Sequence, residues 1–391
     1  SKVALFSDTF DQCNGVALTL QAQARLARDL GKDLYTLTCG SSQTLPKQVD
    51  FPCVERLELP EYPELDLACP SFLQILDYCA DSDFTHIHTA TPGPMGLAAL
   101  AAARILHLPI YGTYHTAFPQ YAAHLTGDPD MEALMWKGMV WYYNQLDRVY
   151  VPSRATGEEI RAQGVQAEKI AVYPRGIDVV RFDPGYANGF WHTGYGVRQD
   201  AVKVVYVGRV SKEKDLDVLA RTYRQLAAQR SDVILCIVGD GPYRERMQQM
   251  LADTPAVFTG TLEGRELAQA YASSDAFVFP STTDTFGNVV LEAQASGLPA
   301  LVGDLGGARE NLIPEETGRI LPGDDPGAFA RNILALLNNP DRLSAMASQA
   351  RQSMEKLSAE TAFLRTWDIY MRQDPSSSAQ CVGWTRPGKN E

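Results

Sequence analysis

The feature that most constrains this chain is a rhythm that runs through its first half and then starts again. Short apolar runs alternate with stretches in which apolar residues recur every third or fourth position. In the first half the runs fall at 3–6, 34–39, 86–89, 110–114, 148–152 and 170–173, with helical periodicity over 16–30, 96–106 and 156–162. In the second half they fall at 202–207, 233–238, 257–259, 276–280 and 300–302. Helical patterns there cover 216–229, 243–251, 267–273, 289–296 and 328–338. Runs that are apolar throughout mark strands buried on both faces, and strands separated by helices pair in parallel through right-handed crossovers. The chain therefore reads as two α/β domains in tandem, each Rossmann-like and doubly wound. They are expected to face across a cleft at the C-terminal strand edges, where such sheets hold ligands.

Between the two patterns, 175–199 holds five glycines, one proline and little periodicity, as a linker would. A last helical stretch, 359–372, carries Phe363, Trp367 and Tyr370 on one face. The polar residues 374–391 are expected to be a disordered tail. The boundaries follow: a first domain over 1–175, a linker over 176–199, a second domain over 200–358, and a final helix over 359–373.

Composition narrows the function. A length of 391 residues with 45% hydrophobic residues supplies two cores. A formal net charge of -12 excludes nucleic acid as the main partner, because phosphate backbones need a basic face. Seven cysteines without a C-x-x-C pair suggest neither a disulfide framework nor a zinc site, and fit reduced thiols in a cytoplasmic protein. No run of 18 apolar residues exists for a membrane span. Residues 2–8 already read as a strand, so no signal peptide is expected; a start this close to the first strand fits a chain trimmed from a longer one.

Two segments carry chemistry. In Val205-Tyr206-Val207-Gly208-Arg209-Val210-Ser211-Lys212-Glu213-Lys214 a strand ends at glycine and two cations follow on the loop. Cations converging at that sheet edge suit a diphosphate, although an isolated Arg and Lys would more often be solvated surface charges. In Phe279-Pro280-Ser281-Thr282-Thr283-Asp284-Thr285-Phe286-Gly287-Asn288-Val289-Val290-Leu291-Glu292 a strand runs through a polar loop into a helix. The free N–H groups of a helix start bind phosphate or sugar oxygens, and Asp284 and Glu292 can accept hydroxyls. The plainer alternative makes Asp284 a helix cap and Glu292 a buried ion-pair partner.

Together these segments resemble retaining glycosyltransferase family 4 of the GT-B class. The likeness extends over nearly the whole chain, through Asp8-Thr9-Phe10 to Asn14-Gly15-Val16, His86-Ile87-His88, Tyr114-His115-Thr116, Arg175-Gly176-Ile177-Asp178 and Ile237-Val238-Gly239-Asp240-Gly241-Pro242. The resemblance implies that Arg209 and Lys214 neutralise the departing pyrophosphate, Glu292 holds the ribose and Asp284 the transferred sugar. It places Phe286, Gly287, Asn288 and Val289 along the sugar and phosphate, and His115 and the Gly15 loop on the first domain's side. Gly239, Gly241 and Leu262 would lie near the base. In this class the last helix crosses back to the first domain, and no metal or other cofactor is needed. The expected partners are a nucleotide-sugar donor, with GDP-mannose or a UDP-hexose the nearest in look, and a lipid or glycan acceptor. Two positions depart from the family pattern: Asp284 stands where Glu is usual, and Asn14-Gly15 replaces a glycine pair.

Other signals in the sequence are weaker. Gly239-x-Gly241 follows a strand, but Arg244 occupies the third glycine position of a dinucleotide fingerprint, which leaves an NAD-dependent oxidoreductase as a distant alternative. A non-catalytic sugar-nucleotide binder is another. Asp81-x-Asp83, Asp128-x-Asp130 and Asp215-x-Asp217 have the form of a metal triplet that arises often by chance. His86 and His88 are expected on opposite faces of their strand, packed or hydrogen-bonded and not chelating one ion. Residues 131–150 are rich in Met, Trp and Tyr; a packed helix is the first reading, peripheral membrane association the second.

Overall fold

The computed structural model describes residues 1–11, 15–41, 45–58, 66–115, 129–173 and 175–371. The chain forms two compact units, Ser1–Val151 with Gly157–Pro174 and Phe363–Glu391, and Pro152–Thr156 with Arg175–Ala362.

The first unit is built on β1 (Lys2–Phe6), β2 (Asp33–Cys39), β3 (Gln48–Phe51), β6 (His86–Thr89), β7 (Ile110–Thr113), β8 (Arg148–Val151) and β9 (Ile170–Val172). A separate antiparallel hairpin, β4 (Cys53–Glu58) and β5 (Asp66–Pro70), lies between them in sequence. The seven strands pair in parallel in the order β3-β2-β1-β6-β7-β8-β9. Val3, Ala4, Leu5 and Phe6 are all buried, as a central strand covered on both faces requires.

The second unit holds β10 (Val202–Val207), β11 (Val233–Val238), β12 (Val257–Gly260), β13 (Ala276–Phe279), β14 (Ala300–Gly303) and β15 (Gly318–Leu321), parallel in the order β12-β11-β10-β13-β14-β15. This is the doubly wound order, in which the chain turns back on itself between β10 and β13.

The segment expected to be a linker is packed. Ile177, Phe182, Trp191 and Val197 are buried in the second unit's core, and Trp191 Nε1 donates to Ala270 O at 3.1 Å and to Ser274 Oγ at 2.9 Å. Two of its glycines flank the short helix Phe190–Tyr195 with positive φ, Gly189 at 72° and Gly196 at 67°. They supply backbone conformations, not slack. The final helix, Ala359–Met371, places Phe363, Trp367 and Tyr370 in a first-unit cluster with Leu5, Leu20 and Leu34. The expected tail lies outside the described residues.

Candidate functional site

β10 and β13 lie side by side but far apart in sequence, so the loops leaving their C-terminal ends meet at the switch point of the second sheet. Those loops carry the two motif segments. Buried Tyr206 stacks on Phe279 and donates its hydroxyl to Arg209 O at 3.0 Å, fixing the turn from which Arg209 extends, exposed.

The glycines expected near the base have a packing reason of their own. A Cβ on Gly239 would come within 2.0 Å of Gly208 O, and one on Gly241 within 2.5 Å of Val210 O. Their backbones are zipped to the Gly208–Val210 turn, with Val210 N donating to Asp240 O at 2.9 Å and Tyr243 N to Val210 O at 2.9 Å. Leu262 is half-buried and packs on the same core.

Three contacts lace the two loops. Thr283 Oγ1 donates to Glu213 O at 2.7 Å. Asp215 Oδ2 accepts from Thr282 N at 2.8 Å and from Thr282 Oγ1 at 2.7 Å. Between them Lys214 Nζ meets Asp284 Oδ2 at 2.9 Å. The other oxygen of Asp284 accepts from Gly287 N at 2.6 Å and Phe286 N at 3.2 Å. Burial pushes the Asp284 carboxyl up, but Lys214 and the two amides outweigh it and hold it below the ordinary value.

Gly287 has φ 77° and begins the helix Asn288–Ala295; a Cβ there would lie 2.8 Å from Ala308 Cβ. Asn311 Nδ2 donates to Phe286 O, and the Arg175 guanidinium lies 4.8 Å from the Phe286 ring centre. Asn288 is exposed and Val289 half-buried on the first turn. One turn on, Glu292 Oε2 accepts from buried Tyr271 Oη at 3.0 Å. Burial raises the Glu292 carboxyl above its ordinary value, with Tyr271 and the Arg181 charge opposing.

Arg209, Lys214, Asp284, Phe286, Gly287, Asn288, Val289 and Glu292 thus belong to one edge of one sheet. His115 and Gly15 belong to the first unit, at the end of β7 and the start of the helix Gly15–Asp29; Asn14 lies outside the described residues. Sequence reasoning missed Tyr206, Tyr271 and Thr282, whose contacts with Phe279, Glu292 and Asp215 join segments distant in sequence. Asp215-x-Asp217 is spent on loop contacts, since Tyr243 Oη donates to Asp217 at 3.0 Å. Among the described residues no cluster of His, Cys, Asp or Glu could hold a metal ion. The expectation that His86 and His88 face opposite sides is corrected: residues two apart on a strand share a face, and both rings lie against Tyr370.

Comparison with known proteins gives the family. Residues 13–181 match the description "Glycosyltransferase Family 4" and residues 189–353 match "Glycosyl transferases group 1". A GDP-mannose-dependent alpha-mannosyltransferase of Mycobacterium tuberculosis is 32% identical over 94% of this chain and 93% of its own length. The chain belongs to glycosyltransferase family 4. The sulfoquinovosyl transferase SQD2 of Arabidopsis thaliana is 31% identical over 91% of this chain and 70% of its own. The crystal structure of HepE from Anabaena in complex with UDP superposes with a TM-score of 0.77 at 18% identity, covering 95% of this chain and all of that one. The fold of this glycosyltransferase is therefore GT-B. It is a hexosyltransferase that takes its sugar from a nucleotide-sugar donor.

Proposed function

We propose that this glycosyltransferase retains configuration as it moves mannose or a glucose-type sugar from GDP-mannose or a UDP-hexose to a lipid or glycan acceptor. The observation that carries the reading is the Lys214–Asp284 pair at the switch point, beside the loop of Arg209. A cation and a carboxylate share one spot: the first suits a leaving diphosphate, the second a sugar hydroxyl. Arg209, Lys214 and the helix start at Gly287 stabilise the leaving group. The donor's own phosphate oxygen takes the acceptor proton in a front-face attack, and His115 contacts the sugar. Asp284 and Glu292 are both engaged in hydrogen bonds to protein groups, which disfavours a two-carboxylate hydrolase.

The test is a panel of GDP-, UDP- and ADP-sugars assayed for release of nucleoside diphosphate, followed by NMR of the product's anomeric centre. Turnover of GDP-mannose or a UDP-hexose with unchanged configuration is expected. Inversion, or turnover of ADP-sugars alone, would defeat the reading.

A peripheral lipid contact belongs to the same proposal. The helix Pro129–Gln145 buries Trp136, Met139, Tyr142 and Tyr143 but leaves Leu134 63% and Trp141 55% exposed. Failure to sediment with anionic phospholipid vesicles would remove that part. No helix among the described residues is long and apolar enough to cross a membrane.

A further inference from the structure

The histidine stretch of β6 has no place in the donor site, yet it is tied to the last helix of the chain. His88 is 5% exposed in the first unit. Its Nδ1 lies 2.8 Å from Tyr370 Oη and its Nε2 2.8 Å from Thr113 Oγ1. Burial pushes the imidazole down to about 4, so the ring is neutral at ordinary pH. A neutral imidazole donates at one nitrogen and accepts at the other. With both in use, the hydroxyl sense at Tyr370 fixes the hydroxyl sense at Thr113, and the three side chains act as one unit.

Thr113 is the last residue of β7, where the chain leaves the sheet toward His115. Tyr114 N donates to Tyr150 O at 2.8 Å, pinning the backbone between them. His88, Thr113, His115, Tyr150 and Tyr370 line one cavity of about 20 Å³, the room of a single water. His115 lines that cavity together with the three residues of the relay, two residues beyond the end of β7. Tyr370 is held in turn by packing against Tyr111 at 6.0 Å and Trp367 at 5.6 Å between ring centres.

We propose that Tyr370, His88 and Thr113 form a positioning relay through which the C-terminal helix sets the place of His115. This rests on the reading of His115 as a sugar contact. The three residues are positioning residues: they act through the end of β7 and touch no substrate. Misplacing a reacting contact by a fraction of an ångström lowers rate more than binding.

Tyr370→Phe and Thr113→Val each delete one hydroxyl and keep shape, and the double variant completes a cycle. The probes are GDP-mannose and UDP-glucose, with kcat and KM taken from release of nucleoside diphosphate, beside melting temperature. Each single variant is expected to lower kcat about three- to tenfold with donor KM within about twofold. The double variant should be no worse than the poorer single, because both break the same relay. Lowered melting temperature with wild-type kcat, or losses that multiply, would overturn the relay. His115→Ala separates the two ideas. Impaired His115→Ala beside wild-type relay variants defeats the relay alone. A fully active His115→Ala defeats the sugar-contact reading, and the relay with it.

Discussion

Lys214 and Asp284 form an ion pair of 2.9 Å between the loops that follow β10 and β13, with their side chains only 19% and 22% exposed. The carboxylate offers about four lone-pair positions. Among the described residues, Lys214 and the amides of Phe286 and Gly287 occupy three, which leaves one for a sugar hydroxyl. Asp284 thus closes the turn that leads into the helix, whose N-cap is Gly287, and is an ion-pair partner at once; its proposed sugar contact is added to those roles.

The two proposed diphosphate cations should then behave differently on substitution. Arg209→Ala and Lys214→Ala are each expected to lower kcat by roughly 10²- to 10³-fold. Arg209 is exposed, so its loss should leave stability within about 0.5 kcal/mol. Lys214→Ala strands a partly buried carboxylate and should cost about 1.5–3 kcal/mol. Urea unfolding of both variants checks this, and equal midpoints would show that the Lys214–Asp284 pair contributes nothing to the fold.

Asp284→Asn keeps an acceptor for Phe286 and Gly287 but turns an amide toward Lys214. Transfer should fall by about ten- to a hundredfold, the worth of a charged hydrogen bond. Affinity for nucleoside diphosphate should hold or rise, because Lys214 loses a competing anion. Stopped transfer rates with calorimetric binding of GDP or UDP separate the outcomes. Wild-type transfer would leave Asp284 a structural residue of the turn before the helix and nothing more.

Glu292 offers an opposite sign. Its folded carboxyl titrates above the ordinary value, so between the two values the folded state holds the proton more firmly than the unfolded chain does. Stability is present below that window and is lost as pH rises through it. Glu292→Gln still accepts from Tyr271 and carries no charge, so it should melt higher than the parent at neutral pH and level with it in acid. If Glu292 holds the ribose, the same variant binds nucleoside diphosphate more weakly. Unchanged affinity would remove the ribose role, whatever the melting curves show.

How much was legible follows from burial. β10 and β13 were plain in the sequence because both lie inside their sheet and are almost wholly apolar. β3 and β15 were not: each is an edge strand with only its first and last residues buried, so no continuous apolar run marks it. The helix Pro340–Glu355 buries Met346, Ala350 and Met354 alone, a stripe too narrow to stand out. Glycine misled at 175–199, where its φ values cap a helix. Within the candidate site, the charged residues showed themselves through their motifs. Their partners did not, because Asp215 meets Thr282 only once two strands distant in sequence are laid side by side.

The last helix should matter to the fold of the first unit. Trp367 is 4% exposed and stacks on Phe363 at 5.9 Å between ring centres. Trp367→Ala should cost about 3–5 kcal/mol, the usual result of emptying an aromatic site in a core. Deleting the chain from Ala359 onward should lower solubility and activity together, by uncovering Leu5, Leu20 and Leu34. A truncated protein with the parent's melting temperature would show that the helix is an appendage.

Acid should loosen the same region through His88. The ring titrates at about 4 when folded, against an ordinary value of 6.5, because burial removes water from its charged form. Between those values the unfolded chain takes up a proton that the folded chain refuses, so stability falls as pH falls. Across the whole window this amounts to about 3 kcal/mol. His86, lowered chiefly by burial and then by the N-terminal charge, adds to the same slope. His88→Gln keeps a donor and an acceptor between Tyr370 and Thr113 but cannot titrate. Its unfolding free energy should therefore vary less between pH 6.5 and 4 than the parent's, with a residual slope from His86. Urea unfolding of both proteins at several pH values in that range measures the difference directly. Parallel curves would mean that His88 takes its proton without leaving the folded state, and that the contact with Tyr370 survives a charged ring.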